Sequence, residues 1–183
     1  MALDRKLFFT TIRKLDKTLT LSQVAGFNGI LDVWEQTYAK LYPKAYLAYM
    51  LATAWHETAT TMQPIAEFGK GKGRAYGIAD KKTGKVYYGR GFVQLTWLKN
   101  YLLAGTKLGV DLVNNPELAL DLRIATRIMF EGMLNGWFTG KRLADYRLAN
   151  GSFQKVNARR IINGTDKAVL IAGYFDVFLA ALG

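Results

Sequence analysis

Two glutamates ten residues apart, Glu57 in Trp55-His56-Glu57-Thr58 and Glu67 in Ile65-Ala66-Glu67-Phe68, are of the type that cleaves a glycosidic bond by acid/base chemistry. That chemistry needs one carboxyl group to protonate the leaving oxygen and another to activate water, roughly 6.5–9.5 Å away when a water stands between them. On one continuous helix, residues at this spacing would lie about 15 Å apart along the axis and face different directions. Pro64 falls between them and disfavours helical geometry at Gln63. The chain is therefore expected to leave its helix after Glu57 and carry Glu67 back across a cleft.

The neighbours suggest different roles for the two. Glu57 ends the segment from Ala45 to Trp55, apolar nearly all round and so expected to form a buried central helix. Desolvation and the negative end of the helix dipole both disfavour a carboxylate there, which makes Glu57 the candidate general acid. Glu67 precedes Gly69-Lys70-Gly71-Lys72-Gly73-Arg74, a flexible cationic loop that favours the ionised form and makes it the candidate base. Asp80, in an expected turn, and Glu131, inside an amphipathic helix, are held in reserve for the base. The glycine-rich loop could serve as a lid or grip an anionic polymer, although a charged run is ordinarily a solvated face.

The elements that must position these groups are mostly helical. An amphipathic helix is expected over Arg5–Leu15, and a second from the capping box Thr20-Leu21-Ser22-Gln23 toward Leu41. Pro43 introduces the buried helix. Tyr76–Ala79 and Lys85–Tyr88 flank Asp80-Lys81-Lys82-Thr83-Gly84 and read as a small β-hairpin. Helices are expected again over Trp97–Leu108, from Asn115-Pro116-Glu117 to about Asn135, over Phe153–Ile162, and from near Asp166 to Leu182.

Three blocks of this chain resemble the chitinase-like glycoside hydrolases of family nineteen, and within them the short endolysins of bacteriophages. The blocks are Ala54-Trp55-His56-Glu57-Thr58; Tyr87-Tyr88-Gly89-Arg90-Gly91 through Gln94-Leu95-Thr96 to Asn100-Tyr101; and Ala158-Arg159-Arg160-Ile161-Ile162-Asn163-Gly164. The resemblance implies a mainly α (α+β), lysozyme-like helical domain over residues 1–183, with one small β-hairpin beside the active-site cleft. It also implies Glu57 as acid, Glu67 as base, Thr96 as the hydroxyl holding the attacking water, and Gln94, Asn100 and Asn163 as sugar contacts. Inversion by direct water attack follows from the family mechanism. Phe92, Lys99 and Thr165 depart from the pattern of many relatives, and no C-terminal arginine matches the one common in plant enzymes.

Three further residues join the candidate substrate contacts, each beside a plainer reading. His56 could orient Glu57 or a backbone group, Tyr88 could stack on a sugar or simply pack, and Arg90 could pair with a carboxylate or hold its loop. A single histidine and no cysteine exclude a multi-histidine or zinc set, so neither metal nor cofactor is expected. The chain is expected to form one compact monomeric domain without disulfides. Its net charge of +11 calls for an anionic partner, which a bacterial envelope supplies. No nucleic-acid-binding signature accompanies the scattered basic residues. No signal peptide or membrane span is evident, so an enzyme of this kind would be made in the host cytoplasm and reach the wall through a separate pore. The substrate so implied is peptidoglycan, cut at the β-1,4 bond between N-acetylmuramic acid and N-acetylglucosamine. A chitinase on N-acetylglucosamine polymers and a non-catalytic wall-binding phage module are the alternatives.

Overall fold

Ten consecutive buried residues, Tyr46–Trp55, form the hub of the computed structural model, which describes residues 2–183. They belong to α3 (Lys44–Glu57). A helix apolar on every face must be enclosed by other elements. It packs mainly on α6 (Ala168–Ala181), which in turn holds α1 (Arg5–Ile12); α2 (Leu21–Val33) packs on α5 (Leu122–Asn135), and α4 (Leu98–Leu108) also meets α5. The fold is mainly helical with one two-stranded antiparallel sheet, as expected.

Capping chemistry explains the starts. Asp4 accepts the Leu7 N–H at the head of α1, and Thr20 and Gln23 form the reciprocal capping box of α2. Asn115 makes no such cap. Pro116–Leu120 is instead a separate 3-10 turn, and Asp121 starts α5 by accepting the Ile124 N–H at 2.9 Å. The second helix also stops short of its expected end, giving way to a π-helical segment over Trp34–Tyr38. The Phe153–Ile162 region contains only the 3-10 turn Asn157–Ile161.

The strands are not where the hairpin was expected. β1 (Ile65–Ala66) pairs with β2 (Arg90–Gly91), with Ile65 opposite Gly91 and Ala66 opposite Arg90. Between Tyr76 and Tyr88 there is a 3-10 turn over Ala75–Gly77 and a tight turn in which the Asp80 N–H donates to the Lys85 carbonyl at 2.9 Å. The turn residues were correctly identified, but the chain on either side of them does not form a ladder.

The reversal after Glu57 also has a different cause. Helix α3 ends well before Pro64, where Ala59, Thr60 and Met62 take positive φ. Each such non-glycine residue costs on the order of 1–3 kcal/mol and persists only when its surroundings impose it. Here Gln23 donates to the Thr60 carbonyl at 3.0 Å, Gln63 donates to the Ser22 carbonyl at 2.6 Å, and the Thr58 hydroxyl receives the Met62 N–H. A Cβ on Gly26 would stand 1.8 Å from the Met62 carbonyl oxygen, so α2 and this loop meet backbone to backbone. Among the described residues, no helix is long and apolar enough to cross a membrane.

Candidate active site

Glu57 is the last residue of α3, which fixes its direction at the end of the buried helix. Its Oε1 accepts from Arg159 Nη1 at 2.6 Å, with the carboxylate side chain 17% exposed and the arginine 2%. Arg159 is itself held by the 3-10 turn Asn157–Ile161 and donates Nε to the Asp166 carbonyl at 2.9 Å. Arg159 thus sets an opposing charge against this carboxylate at the end of the buried helix. Its partner lies 102 residues along the chain, beyond the reach of any local pattern.

Glu67 follows β1 directly. Its own N–H donates to the Gly89 carbonyl at 2.7 Å, and its carboxylate accepts from the Tyr76 hydroxyl at 2.7 Å on Oε1 and from the Gly89 N–H at 3.1 Å on Oε2. The bond to Glu67 raises the Tyr76 phenol above its ordinary pKa, because the charged oxygen stabilises the bound proton. Tyr76 was read only as a strand residue, and nothing in its local sequence marks it as a partner of Glu67. Its placement depends on close backbone contact: a Cβ on Gly77 would lie 1.9 Å from the Gly71 carbonyl oxygen. The glycine loop is thus folded back on itself, with Tyr76 presented to the carboxylate.

Gly89 also brings in the hydroxyl. A Cβ there would lie 2.7 Å from Gln94 Oε1 and 3.3 Å from Thr96 Oγ1. The missing side chain lets both close on the backbone that binds Glu67. Thr96 Oγ1 donates to the Gln94 carbonyl at 2.8 Å, and Asn100 Nδ2 donates to the Thr96 carbonyl at 2.7 Å. Gln94 and Trp97, on either side of Thr96, have φ of +55° and +74°. Main-chain bonds between Arg90 and Leu95, and from Trp97 to the Tyr87 carbonyl, hold this strained turn.

Not every candidate contact lies free to meet a ligand. Arg90 is a correction: it is 2% exposed, donates to the Val86 carbonyl and the Tyr101 hydroxyl, and reaches Glu117 at 3.3 Å. Its guanidinium carbon lies 3.6 Å from the centroid of the Tyr88 ring, which is buried as well. Both residues build the loop rather than face a substrate. Gln94 spends its amide nitrogen on the Ile65 and Gly91 carbonyls. Asn100 likewise supports Thr96. Asn163 is exposed beyond the Arg159 turn, its N–H on the Arg159 carbonyl at 3.0 Å, and His56 is half-buried one residue before Glu57.

The reserve bases are engaged elsewhere. Asp80 Oδ1 accepts from the N–H groups of Lys82 and Thr83 and from the Thr83 hydroxyl, and the backbone bond from Thr83 is the main cause of its depressed pKa. Glu131 accepts from the Tyr38 hydroxyl at 2.5 Å and from Asn135. The structure thus offers one carboxylate set among hydrogen-bond donors and a hydroxyl, and a second fixed by a buried cation.

Part of this chain is similar to known chitinases. The family model described as chitinase class I matches residues 65–150, which include Glu67 and Thr96 but not Glu57 or Arg159. Basic endochitinase B of Arabidopsis thaliana is 44% identical over 59 residues, 32% of this chain and 17% of that protein. Inactive chitinase-like protein 1 of Hevea brasiliensis is 46% identical over 56 residues, 31% of this chain and 17% of its own length. The matched stretch thus spans about a sixth of these curated relatives. Among solved structures, chitinase C from Streptomyces griseus HUT6037 superposes with a TM-score of 0.72 at 23% identity, covering all of this chain and 77% of the other.

Proposed function

We propose that this chain, a family nineteen glycoside hydrolase in its 65–150 segment and in its fold, is an endolysin-type muramidase. In this reading it hydrolyses the β-1,4 bond between N-acetylmuramic acid and N-acetylglucosamine in peptidoglycan. Glu57 protonates the leaving oxygen, while Glu67 deprotonates a water that Thr96 helps to hold, with inversion at the anomeric carbon. The observation that carries the reading is the clustering at Gly89: its N–H on the Glu67 carboxylate, its missing side chain filled by Thr96 and Gln94. Support for a wall substrate comes from the net charge of +11, suited to the carboxylates and phosphates of a bacterial envelope. The enzyme would act as a monomer made in the host cytoplasm and released through a separate pore.

Mass spectrometry of borohydride-reduced fragments from purified peptidoglycan tests the reading. Reducing-end N-acetylmuramic acid from the parent chain and none from Glu57→Gln is the expected result. Reducing-end N-acetylglucosamine would sink the muramidase assignment. A second reading, a chitinase on N-acetylglucosamine polymers, is favoured by the names of the similar proteins above, and hydrolysis of chitin oligomers without wall cleavage would establish it. The similarity to a protein named inactive keeps a binding role in view; wall binding without release of any sugar would identify it.

A further inference from the structure

We infer that the cationic rim around the Tyr76–Trp97 cavity recognises the carboxylates of peptidoglycan peptide stems, so that the site favours stem-bearing glycan over bare glycan. The inference rests on the wall reading above and names the part of the substrate that is selected. Tyr76, whose hydroxyl holds Glu67, also lines a cavity of about 310 Å³ together with Asp80, Lys81, Tyr87, Trp97 and Leu98. The cavity is thus linked to the candidate base through Tyr76. Trp97 is half-exposed on its strained backbone, with its ring edge-on to Tyr76 at 5.3 Å. A strained, exposed aromatic beside a carboxylate suits a ligand-facing wall.

Charge around this cavity is one-sided. Lys81 lines the cavity and its turn also carries Lys82 and Lys85; the loop folded onto Gly77, next to the lining residue Tyr76, carries Lys70, Lys72 and Arg74. Among the described residues, none of these six forms an ion pair within 4.0 Å. The acidic groups between them are committed, Asp80 to its own turn and Glu67 to Tyr76 and Gly89. Set against the two carboxylates, Asp80 and Glu67, these six cations leave a net positive rim that a neutral sugar polymer would not compensate. A glycan bearing peptide stems brings several carboxylates per repeat and matches that field.

The test compares the parent chain with Lys81→Gln/Lys82→Gln/Lys85→Gln on purified wall glycan with its stems intact and on the same glycan stripped by an amidase, which leaves a single lactyl carboxylate on each muramic acid in place of the several that a stem carries. The parent is expected to turn over the stem-bearing glycan about tenfold faster, since three exposed charge pairs of modest strength sum to that order. The preference should shrink with added salt and be largely lost in the variant. A second variant, Lys70→Gln/Lys72→Gln/Arg74→Gln, must move the ratio the same way. Equal turnover of both glycans by the parent overturns the inference. Co-sedimentation of Glu57→Gln with the same two glycans separates this idea from the functional reading. If the parent cleaves chitin oligomers and no wall, the muramidase assignment falls, yet stem-dependent sedimentation still supports the rim. Sedimentation unaffected by stem removal, or lost only when wall phosphates are removed, overturns it.

Discussion

Replacing Arg159 with methionine removes the one cation that touches Glu57 while keeping much of the aliphatic packing. Two bonds are lost: Nη1 to Glu57 Oε1 at 2.6 Å and Nε to the Asp166 carbonyl at 2.9 Å. Both are donated by the charged guanidinium, and a hydrogen bond involving a charged group contributes about 1.5–3 kcal/mol. Truncating one partner of a fully buried pair costs about 3–5 kcal/mol, but the 17% exposure of Glu57 lets water reach the orphaned carboxylate and keeps the loss at the lower end. Arg159→Met is therefore expected to destabilise the fold by about 3 kcal/mol, roughly 6–12 °C in Tm for a chain of this size. In a Glu57→Gln background the amide oxygen still accepts but carries no charge, and the same replacement should cost about half as much. Thermal or denaturant unfolding of the four proteins in this cycle gives the coupling, expected at about 1.5 kcal/mol. Effects that add to within about 0.5 kcal/mol would refute the claim that this pair, and not general packing, fixes Glu57. Arg159→Lys should lower kcat more than it raises KM, because a flexible ammonium keeps the charge without the planar fork.

Further outcomes follow from the same contacts. Glu57→Gln and Glu67→Gln are each expected to reduce glycan hydrolysis by at least about 100-fold with binding to the insoluble substrate retained, measured by sugar release and co-sedimentation; activity close to the parent in either would remove that residue from the mechanism. In Glu67→Gln the Tyr76 phenol should titrate closer to the ordinary tyrosine range, seen by NMR of ring-labelled tyrosine, since the carboxylate bond is the main cause of its elevation. Asp80, whose carboxyl is held below its ordinary value by the turn, contributes stability above the unfolded carboxylate range that is lost as pH falls through its folded value. Asp80→Asn should thus lower Tm at neutral pH, with the difference from the parent closing in strong acid. Gly77→Ala, whose new methyl would meet the Gly71 carbonyl oxygen, should lower activity far more than Gly73→Ala, where open space leaves only the cost of a positive φ.

What could be read from the sequence was whatever depended on neighbours in the chain. The buried helix and the capping box at Thr20 follow from composition and spacing within a turn or two, whereas the break after Glu57, expected from Pro64, is set by contacts with α2 some forty residues away. The pairing of β1 with β2 joins Ala66 to Arg90, and no alternation marks two-residue strands. Val86, Tyr87 and Tyr88 are the strand-like residue types of the expected hairpin, but Tyr87 is spent on the core and on the Val113 carbonyl. Arg90 was open to two readings, and burial against Tyr88 and Tyr101 decided for the structural one.

The same limit explains why the acid's partner was missed while the surroundings of the base were partly seen. Gly89, Gln94 and Thr96 lie within eight positions of one another, so a local motif can carry the turn that gathers them beside Glu67. Arg159 and Tyr76 reach the carboxylates only because distant or folded-back backbone brings them there. Glycine permits two close backbone approaches nearby: Gly26 lets α2 meet the loop after Glu57, and Gly77 lets the cationic loop turn Tyr76 onto Glu67. The placement of the two candidate carboxylates is set in part by positions where a side chain would prevent the backbone from closing.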